Sequence, residues 1–357
     1  MIGNIDATTI AAIDRITREK CVVAGRSGEL KQLARLFGKG YLEALHAVLS
    51  ETLLQSERMS QELTIRLAWI DKIPLAEVDG FASKTELGDA VLFSIRRVVS
   101  PAGDYYGKPA ARAVLLQAKV ADNYKRISRP LVPVQPMEGS TQREFELLSR
   151  WPRFNLFKAS RSEKPLASGV DLRGAERGLL PYGWYIVAPR VSKRVEKGDL
   201  PAWTSWWMGA PAMLDRSCDI TFGTLLGTFL TGRKLPAAGN LEVGRPFSCE
   251  AYPPAREEAV GWDRVCAEIL AIAEGMKAPK AYFGSRARGR LVTTEPLRLG
   301  FQTAGSKGRH LDFELLDQPA IDQLDAFHYW PVRRFFERLL GRRRMPVVVF
   351  DFKITEG

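Results

Sequence analysis

"AVLLQAKVA", residues 113–121, reads as a buried β-strand until its far end, where Gln117 and Lys119 interrupt the apolar run. Side chains alternate across a strand, so these two share a face about 6.6 Å apart along the chain, while Leu116, Ala118 and Val120 face the other way. The strand therefore carries a polar spot at one end of an otherwise apolar surface.

The preceding segment, "TELGDAVLFSIRRVV" (85–99), is rich in β-branched and aromatic residues, and "SPAGDYYGKPA" (100–110) supplies a Pro- and Gly-rich connection. Together with residues 111–121 they predict a β-hairpin with a long loop. Asp89, Val91, Phe93 and Ile95 form one face of the first strand. In an antiparallel hairpin the beginning of one strand lies beside the end of the other, so Asp89 can meet Gln117 and Lys119.

A carboxylate, an amide oxygen and a lysine at a sheet end suit metal-assisted phosphodiester hydrolysis. Asp89 and the Gln117 carbonyl are hard oxygen ligands for Mg²⁺, with Mn²⁺ the alternative ion. The metal lowers the pKa of a bound water and neutralises charge on the phosphate, while Lys119 orients the nucleophile or stabilises the transition state. Two plainer readings stand beside this one. Gln117 and Lys119 can simply close an edge strand with the ammonium in water, and Asp89 after Gly88 can be a turn residue.

"ELGD" (86–89) followed by "LLQAK" (115–119) resembles the PD-(D/E)XK nuclease superfamily, in the QxK variant related to Mrr-type restriction endonucleases. The resemblance implies an α/β, mixed α+β fold whose restriction-endonuclease-like core runs helix, three strands, helix, strand. Residues 57–190 can be laid on that order. It also implies Asp89 as central metal ligand, Gln117 as second ligand and Lys119 as catalytic lysine. The acid on the first helix falls to Glu62, in "SQELTIRLAWIDKI" (60–73), which reads as a helix through Leu63, Leu67 and Ile70. If "IPLAEVDG" (73–80) is the first strand, Glu86 or Glu57 takes that place. An Mg²⁺-dependent endonuclease in a bacterial restriction or antiphage role is what such kinship implies, with homodimerisation or a partner protein of a defence system. The alternative is a nuclease-like fold that binds nucleic acid or protein without cleaving.

Around this core (57–195) the chain divides into a helical N-terminal extension (1–56) and an α+β C-terminal region (196–357) for nucleic-acid contact or oligomerisation. "ELKQLARLF" (29–37) and "YLEALHAVLSETLLQ" (41–55) have helical spacing. "STQREFELLSRW" (140–151) reads as a helix capped by Ser140 or Thr141, and "YGWYIVAPR" (182–190) as a strand. Further on, "TFGTLLGTFL" (221–230), "WDRVCAEILAIAEGM" (262–276) and "PVRRFFERLLGRRR" (331–344) read as helices. "RGRLVTT" (288–294), "RLGFQ" (298–302) and "MPVVVFDFKI" (345–354) read as strands.

The formal charge of +11, from 52 basic and 41 acidic residues, favours a polyanionic partner, nucleic acid first and an acidic membrane surface second, and the nuclease resemblance implies DNA ahead of RNA and no membrane. Arg342, Arg343 and Arg344 are candidate phosphate contacts, and Trp203, Trp206 and Trp207 are aromatics that core packing explains most simply. Cys21, Cys218, Cys249 and Cys266 have no zinc-knuckle spacing and predict buried thiols in a reducing cytoplasm. His46, His310 and His328 have no metal-ligand spacing, and neither a phosphate-binding Gly-rich loop nor a GxSxG elbow is present. The early charges of the N-terminus argue against a signal peptide.

Overall fold

The structure, a computed structural model, describes residues 5–21, 29–54, 59–71, 74–100, 105–121, 131–134, 136–160, 162–174, 180–189, 207–209, 217–249, 258–275 and 344–356. Helices α1 (Ala7–Lys20), α2 (Glu29–Leu36) and α3 (Lys39–Leu54) come first. They are followed by β1 (Met59–Asp71), β2 (Leu75–Val78), β3 (Thr85–Glu86), β4 (Ala90–Val99), β5 (Tyr105–Ala121) and α4 (Gly139–Arg150). Next come β6 (Phe154–Phe157), β7 (Ala167–Val170), β8 (Gly183–Pro189), β9 (Trp207–Gly209), β10 (Ile220–Thr221) and α5 (Phe222–Thr231). The remaining elements are β11 (Lys234–Leu235), β12 (Leu241–Glu242), β13 (Arg245–Phe247), α6 (Gly261–Gly275) and β14 (Arg344–Glu356).

A mixed sheet runs in the order β1, β14, β4, β5, β8, β9, β10, with β13 also on β5. β4 and β5 form the antiparallel hairpin, and β8 returns through α4 to lie parallel to β5. On that side of β5, β13 pairs with Ala111–Ala113 and β8 with Leu115–Ala121, so β5 is paired on both sides over its second half. The other flank of β4 is taken by β14, which runs parallel to it and antiparallel to β1. A smaller sheet, in the order β3, β2, β6, β7, and the β11–β12 pair complete the strands.

Helices cover both faces of the large sheet, which explains the near-continuous apolar composition of its inner strands. Val91, Phe93, Ala113 and Leu115 share a core with Leu147 and Leu148 of α4 and Val265 and Ile269 of α6. Leu92, Val114 and Leu116 share the opposite core with Ile13, Leu33 and Leu45 of α1–α3 and Leu226 of α5. The result is a mixed α/β fold with a mixed sheet and several helices.

Three expectations need correction. Residues 60–71 form the strand β1, not a helix: Leu63, Ile65 and Leu67 are buried while Glu62 is exposed and Thr64 and Arg66 are half-buried, a period of two. β5 begins at Tyr105, so much of the anticipated long loop is strand. α4 starts at Gly139 with Glu138 in the N-cap position and no side-chain capping bond, and Thr141 is buried. The helices expected within 29–55, 221–230 and 262–276 and the strand at 345–354 are present. "RGRLVTT", "RLGFQ" and nearly all of "PVRRFFERLLGRRR" lie outside the described residues. All four cysteines are buried and none forms a disulfide. Among the described residues no helix is long and apolar enough to cross a membrane.

Candidate functional site

Asp89 stands immediately before β4, and its N–H donates to the Leu116 carbonyl at 2.8 Å, which pins it against the end of β5. Gly88 permits this approach, because a Cβ there would sit only 3.2 Å from the Leu116 carbonyl oxygen and 3.5 Å from the Leu115 Cβ. The Asp89 carboxylate Oδ2 accepts from the Gln117 side-chain amide and, at 2.8 Å, from the Ala118 N–H. Gln117 Oε1 is buried and has no hydrogen-bond partner among the described residues.

Lys119 lies further along the same face and donates to Glu144 of α4 at 2.7 Å, with both side chains nearly inaccessible. Because β5 is an interior strand and this ammonium is paired with a carboxylate, the edge-strand reading does not describe Lys119. Asp89, Gln117 and Lys119 therefore come together, at 7%, 2% and 4% exposure.

Burial pushes the Asp89 carboxyl up to about 8; Lys119 and the Ala118 N–H work against the shift, while Glu86 and Glu29 reinforce it. For Lys119, burial alone would lower the pKa, but Glu144, then Glu29 and Asp89, outweigh it and hold the ammonium above its ordinary value. Glu144 and Glu29, joined by Asp89 in its ionised form, thus favour the charged form of Lys119.

Glu29, Glu144 and Tyr185 were not singled out from the sequence. Glu29 opens α2 one turn before the buried Gln32 and Leu33, and Glu144 lies one turn before the buried Leu147 and Leu148 of α4. A carboxylate on the apolar stripe of a helix was the available signal in both cases. Tyr185 stands beside Gln117 in the β5–β8 register and is fully buried.

The other expected residues are placed differently. Glu62 is exposed on β1 and pairs with Lys353, which pairs with Arg97, eight residues along β4 from Asp89, or ~26 Å at the strand rise. The structure does not bring Glu62 to the site, because the helix meant to carry it is a strand at the opposite end of the sheet. "IPLAEVDG" supplies β2 of the small sheet, not a neighbour of β4. Glu86, on β3, acts on Asp89 electrostatically. Glu57, Arg342 and Arg343 lie outside the described residues, and Arg344 opens β14 with its side chain likewise outside.

Among the described residues no group of three or more His, Cys, Asp or Glu side chains is arranged to hold a metal ion. The available oxygen donors are the Asp89 carboxylate and Gln117 Oε1. Two protein oxygens suit Mg²⁺, which keeps several waters and binds through few carboxylates. No family model, curated protein or solved structure matches the chain.

Proposed function

We propose that the chain is a metal-dependent nuclease of PD-(D/E)XK type that hydrolyses phosphodiester bonds, with DNA the first substrate to test. The observation that carries this reading is the meeting of Asp89, Gln117 and Lys119 on one face at the end of two interior strands, with Gln117 Oε1 unpartnered. Leaving aside β6 and β7 of the small sheet, which intervene between α4 and β8, the succession β4, β5, α4, β8 supports it, since it follows the later part of the family order. The strand beside β4 is β14, a departure from chain order in that family.

Asp89 and Gln117 are the residues that would hold Mg²⁺ or Mn²⁺, and the ion would supply neutralisation of charge building on the phosphate. Lys119 offers a cation to that phosphate, and its neighbouring carboxylates keep it protonated. Glu29, rather than Glu62, is the helix-borne acid whose charge acts on both Asp89 and Lys119. A phosphodiester competes for Lys119 with Glu144, which accepts from the ammonium at 2.7 Å. A restriction or antiphage role, and action as a homodimer or beside a partner protein, belong to the same proposal through the family resemblance.

The burial of the site favours a second reading, in which the fold binds nucleic acid or another protein without cutting. The deciding experiment incubates wild type and Lys119→Ala with duplex, single-stranded and plasmid DNA and with RNA, in Mg²⁺, in Mn²⁺ and with chelator. Metal-dependent cutting abolished by the substitution supports the nuclease. Since Lys119→Ala leaves Glu144 buried and unpaired, the double variant Lys119→Met/Glu144→Gln serves as the folded control. Binding without cutting under every condition favours the second reading.

A further inference from the structure

Resting on the nuclease reading, the inference concerns Tyr185. This residue lies on the same side of the sheet as Gln117 and Lys119, in the core shared with α4, and is aligned with Gln117 on the adjacent parallel strand. Its hydroxyl is buried without a hydrogen-bond partner among the described residues. A phenylalanine would fill the same space and avoid burying an unsatisfied hydroxyl, so packing alone does not account for the oxygen.

The surroundings define what the hydroxyl can do. Burial, with Glu144, Cys218 and Asp89 adding to it, drives the phenol above its ordinary pKa, so it remains a neutral donor. Gln117 Oε1, the unpartnered atom on the neighbouring strand, is an acceptor only. An acceptor suited to a cation therefore stands beside a donor suited to an anion, with the Lys119 ammonium on the same strand as the amide. A metal-neutralised phosphate is a ligand that uses both.

We propose that Tyr185 is a further catalytic residue: its hydroxyl donates a hydrogen bond to a non-bridging oxygen of the scissile phosphate, beside the Lys119 ammonium. No proton is transferred, and the bond stabilises charge on the phosphoryl oxygens.

The test is Tyr185→Phe, with three readouts: melting temperature, Mn²⁺-supported plasmid cleavage, and binding of a fluorescein-labelled duplex in Ca²⁺. The variant is expected to melt at or above wild type, because it removes an unsatisfied buried hydroxyl. Its kcat is expected to fall by about tenfold or more, with KM changed by no more than about twofold. Equal cleavage by the two proteins overturns the proposal, and so does a lower melting temperature, which would make the hydroxyl part of the scaffold. If wild type cuts nothing, the nuclease reading fails separately and the binding arm decides. Several-fold weaker duplex binding by Tyr185→Phe then keeps the phosphate contact, whereas equal or absent binding overturns it.

Discussion

Asp89 is held in its acid form by its burial. An unfolded chain releases this proton near 3.8 and the folded chain near 8, so the native state binds more protons across that window. Stability is fully present below the lower value and falls as pH rises through the upper one. Asp89→Asn removes the titration. Relative to wild type it should gain on the order of a few kcal/mol between about pH 5 and about pH 9, measured by urea unfolding at both; parallel curves would refute the assignment. Lys119→Ala should destabilise by about 3–5 kcal/mol because Glu144 remains buried without its cation, and Lys119→Met/Glu144→Gln should recover much of that loss. Asp89, Gln117 and Lys119 were legible because strand alternation and hairpin antiparallelism suffice to bring them together. Glu29, Glu144 and Tyr185 were not: a carboxylate on an apolar helix stripe marks the first two as unusual without saying where the helix packs, and Tyr185 arrives through the pairing of β8 with β5.

At the scale of elements, α4 is seated by a missing side chain. A Cβ on Gly183 of β8 would stand 2.6 Å from Cδ2 of Leu148 on that helix and 3.3 Å from Cζ2 of Trp151, its C-cap residue. Gly183→Val should push α4 outward, lower stability by about 1–3 kcal/mol and loosen the Lys119–Glu144 contact, read as faster amide exchange in α4. At the far end of the sheet, Asp351 of β14 meets Arg97 of β4 at 3.1 Å through the guanidinium Nε and Arg66 of β1 at 3.2 Å. One carboxylate thus ties three strands. Asp351→Asn should cost about 3–5 kcal/mol in denaturant unfolding by leaving the two guanidinium groups without their shared anion. β1 itself was misread for a definable reason. Leu63, Leu67 and Ile70 satisfy a helical period, while Leu63, Ile65 and Leu67 satisfy a strand period, and a pairing partner nearly 300 residues away decided between them.

For the whole molecule, the net charge of +11 sets an expectation independent of the site. Duplex binding should weaken steeply with added salt, and the slope of log affinity against log salt should be the same for wild type and Asp89→Asn, measured by fluorescence anisotropy. The hairpin and the return strand through α4 could be anticipated because they join segments close in sequence. The place of β14 could not: "MPVVVFDFKI" was readable as a strand, but its insertion between β1 and β4 depends on contacts spanning most of the chain. That insertion has a consequence for biosynthesis. The ribosome delivers β4 and β5 long before residues 344–356 emerge, so the nascent hairpin waits with the β4 edge unpaired and open to mispairing. A cell making this protein thus keeps the sheet incomplete through most of translation, and the Asp89–Lys119 hairpin gains its permanent neighbour only late in synthesis.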